Sequence, residues 1–347
     1  MALDVAAAQR LFSPERIYLN TASYGLPPTP AWDALQAALA DWRHGRTSWE
    51  HWGAATEGAR AVFADLVGVD VARVATGSTV SGLLALVASA LPDGARVLVP
   101  DVEFTSALFP FLVHERRGIT VRTVPFASLL ESIDASTDVV VTSAVQMATG
   151  EVLDLDALAA AAAAHGSRTV VDATQACGWL PIDARRFDVV VCAAYKWLLS
   201  PRGTAFMAVR PEMLEKIVPL AAGWYAGEDP HTTYFGPPLR LAASARRLDV
   251  SPAWHCWVGA LPALELLRAV GVAAIHAHDV GLANRFRAGI GLPPADSAIV
   301  SCDLPGAADK LARAGIMAAI RGGRLRTSWH LYNTDADVDA TLAALQR

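Results

Sequence analysis

The sequence predicts an α/β protein built on a doubly wound, mainly parallel sheet, with a smaller α+β unit towards its end. Three observations carry that reading. Between Val71 and Val209, short apolar runs take turns with helical stretches. These runs do not alternate apolar with polar residues, as expected of strands covered by helices on both faces. Beyond Gly291 the rhythm changes to short strands and helices mixed together.

Each element has its own signal. After the turn-rich stretch 20–30, helices are expected over 31–43 and 52–66. Residues 73–76 read as a strand and 79–91 as a helix. A strand over 96–99 is followed by a helix over 106–116, then strands over 119–124 and 138–142. The alanine-rich run 155–165 is a helix, and 169–172, 189–193 and 205–209 are strands. The Gly-, Pro- and aromatic-rich stretch 223–251 reads as a long loop or domain crossing. Helices over 254–270 and 272–287 are divided by Gly271. In the final unit, 298–302 and 325–329 read as strands, and 305–314 and 335–345 as helices.

Composition narrows the function. The 347 residues include 29 basic and 34 acidic side chains, a net charge of −5 that offers no electrostatic case for nucleic acid. A hydrophobic fraction of 53% supports a large core. The cysteines at 177, 192, 256 and 302 form no C-x-x-C pair and read as reduced thiols. No apolar run approaches the ~20 residues of a membrane span, and residues 1–12 lack a signal-peptide pattern. A cytoplasmic protein without a membrane partner is expected. His276 and His278 are two apart on a predicted helix and do not share a face, so no metal site is expected. Only three of the basic residues are lysines, Lys196, Lys216 and Lys310, and arginine cannot serve as a nucleophilic amine.

Three places carry chemistry. Ser78 and Thr79, in Thr76-Gly77-Ser78-Thr79, lie between a strand and a helix, where backbone N–H groups and the helix dipole favour a phosphate; an ordinary N-cap reads the same way. Asp172 ends a buried strand, where open α/β sheets place ligands; a capped structural acid is the plainer reading. Lys196 follows a second buried strand in apolar surroundings, and desolvation lowers an ammonium's pKa enough to make it a nucleophile; a snorkelling lysine is the alternative. Together, a phosphate cradle, a strand-end acid and a desolvated lysine match the needs of pyridoxal 5′-phosphate (PLP), which forms a Schiff base with a lysine and needs its pyridine nitrogen kept protonated.

On these motifs the chain resembles the aminotransferase class V family of fold-type I PLP enzymes, in the branch of cysteine desulfurases, isopenicillin N epimerase-like proteins and kynureninases. The likeness runs from Tyr18-Leu19-Asn20-Thr21-Ala22 to Leu331-Tyr332-Asn333-Thr334. It implies a mainly parallel, seven-stranded-type sheet with a smaller α+β domain. The implied divisions are an N-terminal segment 1–30, a large PLP-binding domain 31–250, and interdomain helices with a small domain over 251–347. It also implies roles. Lys196 holds PLP and moves the Cα proton, and Asp172 pairs with the pyridine nitrogen. Gln175, in a D-x-x-Q pattern, bonds the phenolic oxygen. Ser78 and Thr79 bind phosphate, Phe104 stacks on the ring, and Arg326 clamps the substrate carboxylate with its bidentate fork.

The departures are informative. Desulfurases often carry Ser-x-His-Lys where this chain has Ala193-Ala194-Tyr195-Lys196, so Tyr195 is the expected phosphate contact. Val250-Ser251-Pro252 stands where the family reaches the partner subunit's phosphate, which makes Ser251 a candidate and a homodimer the expected state. A desulfurase asparagine is absent near Gln146 and Met147, whose role is open. No cysteine lies between Asp303 and Arg326, which argues against a persulfide-forming desulfurase. The expected activity is a PLP enzyme acting on an α-amino acid, by transamination, with Cβ or C–S elimination and epimerisation as alternatives. A non-catalytic binding protein on the same fold is the rival from another class, and no G-x-G-x-x-G or Walker pattern supports a nucleotide enzyme.

Overall fold

The structure, a computed structural model, describes residues 3–47 and 49–346. Three helices come first: α1 (Val5–Gln9), α2 (Thr29–Arg43) and α3 (Trp49–Val67). The large α/β region follows with β1 (Val74–Gly77), α4 (Val80–Ser89), β2 (Arg96–Pro100), α5 (Thr105–Leu112), β3 (Thr120–Val124) and β4 (Val139–Ser143). It continues through α6 (Leu155–His165), β5 (Arg168–Asp172), β6 (Val189–Ala193), β7 (Ala205–Val209) and α7 (Pro211–Leu214). Two long helices, α8 (Trp254–Val270) and α9 (Val272–Gly289), lead to β8 (Ile299–Cys302), α10 (Ala307–Arg313), β9 (Ala319–Arg321), β10 (Arg324–Ser328) and α11 (Asp335–Gln346).

Seven strands form one sheet in the order β1-β7-β6-β5-β4-β2-β3. Five neighbouring strands, β6 through β3, pair in parallel, whereas β7 runs antiparallel between β6 and β1. The reason is chain length. The segment 194–204 that joins β6 to β7 is shorter than the dozen or so residues that a parallel crossover needs, so the chain folds back. That fold-back leaves 194–204 at the carboxyl edge of the sheet, where β1, β2, β4 and β5 also end.

Burial follows the pleat. Val140, Val171 and Val190 face one apolar layer with Phe63 and Leu264 from α3 and α8. Val141, Val170 and Val191 face the other, with Leu84 and Phe111 from α4 and α5. Both faces are covered, which explains strands without alternation. A buried ion pair ties β1 to α3: Arg60 donates to Asp249 Oδ2 at 2.5 Å and to the Val74 carbonyl at 2.7 Å, and Asp249 Oδ1 accepts from Thr76 N at 2.7 Å.

The smaller sheet, β8-β10-β9, is antiparallel. The N-terminal segment joins it through single bridges from Tyr18 to Met317 and from Asn20 to Ser328. Three short elements had no sequence signal: α1, α7 and β9. The helix expected over 106–116 ends at Leu112, and the chain turns through Gly118 at φ 73° before β3. Among the described residues, no single helix is long and apolar enough to cross a membrane.

Candidate active site

At the carboxyl edge, the loops after β1, β2, β4, β5 and β6 enclose a cavity of about 210 Å³. One end is made by the start of α4. Thr79 caps that helix by accepting from Gly82 N at 3.1 Å, and Ser78, Thr79 and Ser81 line the wall. Tyr195 and Arg202 complete this end, the guanidinium 4.8 Å above the tyrosine ring.

Lys196 stands at the centre, buried, its Nζ 5.6 Å from the Phe104 ring centroid and 5.7 Å from that of Tyr195. The turn that carries it is held on several sides. Gly25 N donates to the Tyr195 carbonyl at 2.9 Å, His330 Nε2 bonds the Trp197 carbonyl at 3.0 Å, and Leu199 takes a left-handed φ of 55°. Gly25 lies so close that a Cβ there would fall 2.0 Å from the Lys196 carbonyl oxygen. Burial pulls the Lys196 ammonium down to about 8; Asp172 opposes this, while Arg326 adds to it.

Asp172 ends β5 with Oδ1 accepting from Thr174 N at 2.8 Å, and Thr174 Oγ1 accepts from Ala193 N at 2.9 Å. Burial pushes the Asp172 carboxyl up, against the Thr174 hydrogen bonds and the Lys196 charge. Gln175 is fixed in orientation: its Oε1 accepts from the Trp197 indole at 2.8 Å and its Nε2 donates to the Ala22 carbonyl at 3.0 Å. The second Nε2 hydrogen is left for the cavity, which Gln175 lines. Phe104 precedes α5 and lines the cavity with its side chain 43% exposed, so its ring has room for a flat partner.

Two candidate residues stand apart. Arg326, on β10, lies behind the cavity wall. It is buried and donates to the Met147 carbonyl at 2.8 Å and to Ser23 Oγ at 2.7 Å, and Met147 lines the cavity. Burial first, and then the neighbouring Arg321, lower its pKa to about 10. Ser251 is exposed and does not line the cavity of its own chain.

Other residues of the site carried no sequence signal. Glu103 is buried between strands: its Oε2 accepts from Ser143 N at 2.6 Å and from Gln146 Nε2 at 3.5 Å, and its Oε1 from Phe104 N at 2.8 Å. It therefore places Phe104, and it gives Gln146 a structural partner. Burial raises its carboxyl, and the nearby Asp172 charge adds to this. His330 and Asp279, both fully buried, meet at 2.7 Å behind the lysine turn. Such pairs join residues remote in the chain, so no local pattern marks them. Trp49 and Trp224 pack edge-to-face at 4.9 Å and do not line the cavity.

The donors present fit PLP. A hydroxyl-rich helix start suits a phosphate, an open aromatic face suits a flat ring, a buried carboxylate suits a protonated pyridine nitrogen, and a buried amine suits an aldehyde.

Comparison with known proteins agrees. The family model described as aminotransferase class-V matches residues 17–302. An uncharacterized aminotransferase of Bacillus subtilis is 29% identical over 84% of this chain and 83% of its own length. The isopenicillin N epimerase of Streptomyces clavuligerus is 27% identical over 99% of this chain and 97% of its own. Among solved structures, the cysteine desulfurase CsdA of Escherichia coli superposes with a TM-score of 0.85 at 20% identity, covering 100% of this chain and 98% of that one. The cystine C–S lyase C-DES gives 0.85 at 22% identity, covering 95% and 97%. At those identities, the structural likeness carries the fold.

Proposed function

Because the chain belongs to the aminotransferase class V family of PLP-dependent enzymes, we propose that it transfers the amino group of an α-amino acid, with Lys196 as its one proton-moving base. One observation carries this reading: Lys196 is a buried amine lining the cleft, and burial brings it near neutrality, to about 8. When bound, PLP supplies the electron sink that allows a Cα–H bond to break. Ser78, Thr79, Tyr195 and Arg202 would hold its phosphate, and Asp172 would pair with its pyridine nitrogen. Phe104 and Gln175 orient the ring, while Arg326 orients the substrate carboxylate.

Lys196 Nζ would take the Cα proton and hand it on from the same side, to the cofactor's carbon and not back to Cα. Transamination needs only such a single base. Inversion at Cα calls for a donor from a second side, and the neighbouring groups are poorly suited to it. Asp172 and Glu103 are engaged by Thr174 and Ser143, and Tyr195 and Arg202 lie against each other at the proposed phosphate end. Persulfide chemistry is disfavoured because Cys302 is buried on β8 with its Sγ towards the Leu325 carbonyl.

The test is a panel of amino acids against the cofactor-loaded protein, scoring keto acid, ammonia and sulfide separately. Keto acid formed only with an amino acceptor supports transamination; ammonia or sulfide released at each turnover would sink it.

The working unit proposed is a homodimer. Support comes from the segment 218–239, which exposes Val218, Leu220, Phe235 and Leu239 to solvent, and from Ser251, which lies outside its own cleft. Light scattering that gives one chain's mass at full cofactor occupancy would contradict it.

A further inference from the structure

Behind the lysine, two guanidinium groups converge on one serine. Arg326 Nη2 and Arg321 Nη2 both donate to Ser23 Oγ, at 2.7 and 3.2 Å. A hydroxyl oxygen has two acceptor sites, so both are used and the Ser23 proton must point elsewhere. Among the described residues, no acceptor takes it. Arg326 Nε is also buried with no hydrogen-bond partner. The charge acting on Arg326 is that of Arg321, of the same sign, and no carboxylate pairs with either one among the described residues. Buried guanidinium groups are ordinarily paired, because an unpaired charge out of water is costly.

This cluster borders the reacting centre. Arg326 reaches the cleft through Met147, and its charge is felt at Lys196. Ser23 lies two residues before Gly25, whose N–H holds the Tyr195 carbonyl of the lysine turn. Arg321 is half-buried on β9, at the edge of the same small sheet. Two donors without an acceptor among the described residues, Arg326 Nε–H and Ser23 O–H, therefore cluster with the half-buried Arg321, whose Nη1 is held only by its neighbour's carbonyl, that of Ile320 at 2.8 Å.

A single α-carboxylate neutralises one of the two cations. We propose that the substrate carries a second acidic group, and that Arg321 and Ser23 receive it beside the α-carboxylate held by Arg326. The substrate class is then a dianionic amino acid, or the matching dicarboxylic keto acid. This rests on the reading of Lys196 and Arg326 as the groups that take the substrate's amine and carboxylate.

The test separates the two readings. Calorimetric titration of the cofactor-loaded protein compares glutarate with butyrate, neither of which has an amine. Glutarate is expected to bind tighter by about tenfold or more, Arg321→Gln to remove most of that preference, and Arg321→Lys to keep most of it. Equal binding of the two acids would overturn the proposal. So would an Arg321→Gln variant that weakens both by one factor, the sign of a single carboxylate bridging both arginines. In parallel, L-glutamate and L-glutamine are titrated against the visible absorption of the loaded protein. If neither amino acid changes the spectrum while glutarate is still preferred, the amine chemistry at Lys196 fails and the dianion site stands.

Discussion

His330→Ala is expected to destabilise the chain more than Asp279→Ala, by a gap that narrows as the pH falls. Both side chains are fully buried and meet at 2.7 Å. His330 Nε2 faces the Trp197 carbonyl at 3.0 Å, a pure acceptor, so that nitrogen carries a proton. Asp279 Oδ2 meets the other ring nitrogen, Nδ1, at 2.7 Å, so the imidazole is the one hydrogen-bond partner of this carboxyl group among the described residues. Asp279 Oδ1 has no other partner to share its charge.

The two deletions leave different orphans. Without Asp279, the imidazole keeps its bond to the Trp197 carbonyl, and a neutral ring leaves no charge buried without a partner. Without His330, Asp279 must stay charged in an apolar site or take up a proton. From its ordinary value of 3.8, protonation near pH 7 costs about 4 kcal/mol at ~1.36 kcal/mol per pH unit. Near pH 5 the same step costs about 1.6 kcal/mol.

The sign follows from linkage. Burial already raises Asp279, and His330 opposes this. Deleting His330 raises the folded-state pKa further, so the penalty is full above that raised value and is shed as pH falls from it towards the unfolded one. Urea unfolding followed by tryptophan fluorescence, at about pH 7 and about pH 5, measures both variants. Equal losses near neutrality, or a gap that stays constant between the two conditions, would refute the reasoning. Either result would mean that Asp279 is already protonated in the native chain.

Other expectations follow from the lysine turn. PLP uptake by cofactor-free protein should quicken as pH rises through about 8, because Lys196 attacks only as the neutral amine. Asp172→Asn should move that limb to lower pH, since Asp172 holds the ammonium up; a limb in the ordinary lysine range, unmoved by the substitution, would argue against it. Gly25→Ala should displace the turn, with a Cβ only 2.0 Å from the Lys196 carbonyl oxygen. A loss of roughly 1–3 kcal/mol is expected from such overpacking, with weaker cofactor retention on dialysis. Retention equal to that of the natural chain would show that the turn yields without moving Lys196.

Local pattern made much of this protein legible. The strands 189–193 and 205–209 and the helices 155–165 and 254–270 follow from apolar run length and from the stops at Gly166 and Gly271. Asp172 and Lys196 stand out because each lies within a few residues of a strand end, where fold and chemistry share one short stretch, whereas Gln175 rests on the family resemblance. The family resemblance extended that reading to Phe104 and Arg326. The short elements α1, α7 and β9 escaped, since each has too few residues to show a helical period or a buried apolar run.

What tertiary structure alone decided are the contacts between remote segments. The antiparallel placement of β7 between β1 and β6 sets the lysine turn at the edge where the other strands end. Glu103 meets Ser143, His330 meets Asp279 and Trp197, and Ser23 meets Arg321 and Arg326 across most of the chain. None of these residues differs, in its own neighbourhood, from an ordinary polar residue in a loop or helix. Sequence determines which chemical groups exist and the elements that carry them, because propensity and patterning act over a few residues. Only the folded chain decides which groups are desolvated together, and desolvation is what brings Lys196 towards neutrality and leaves the paired arginines in need of an anion.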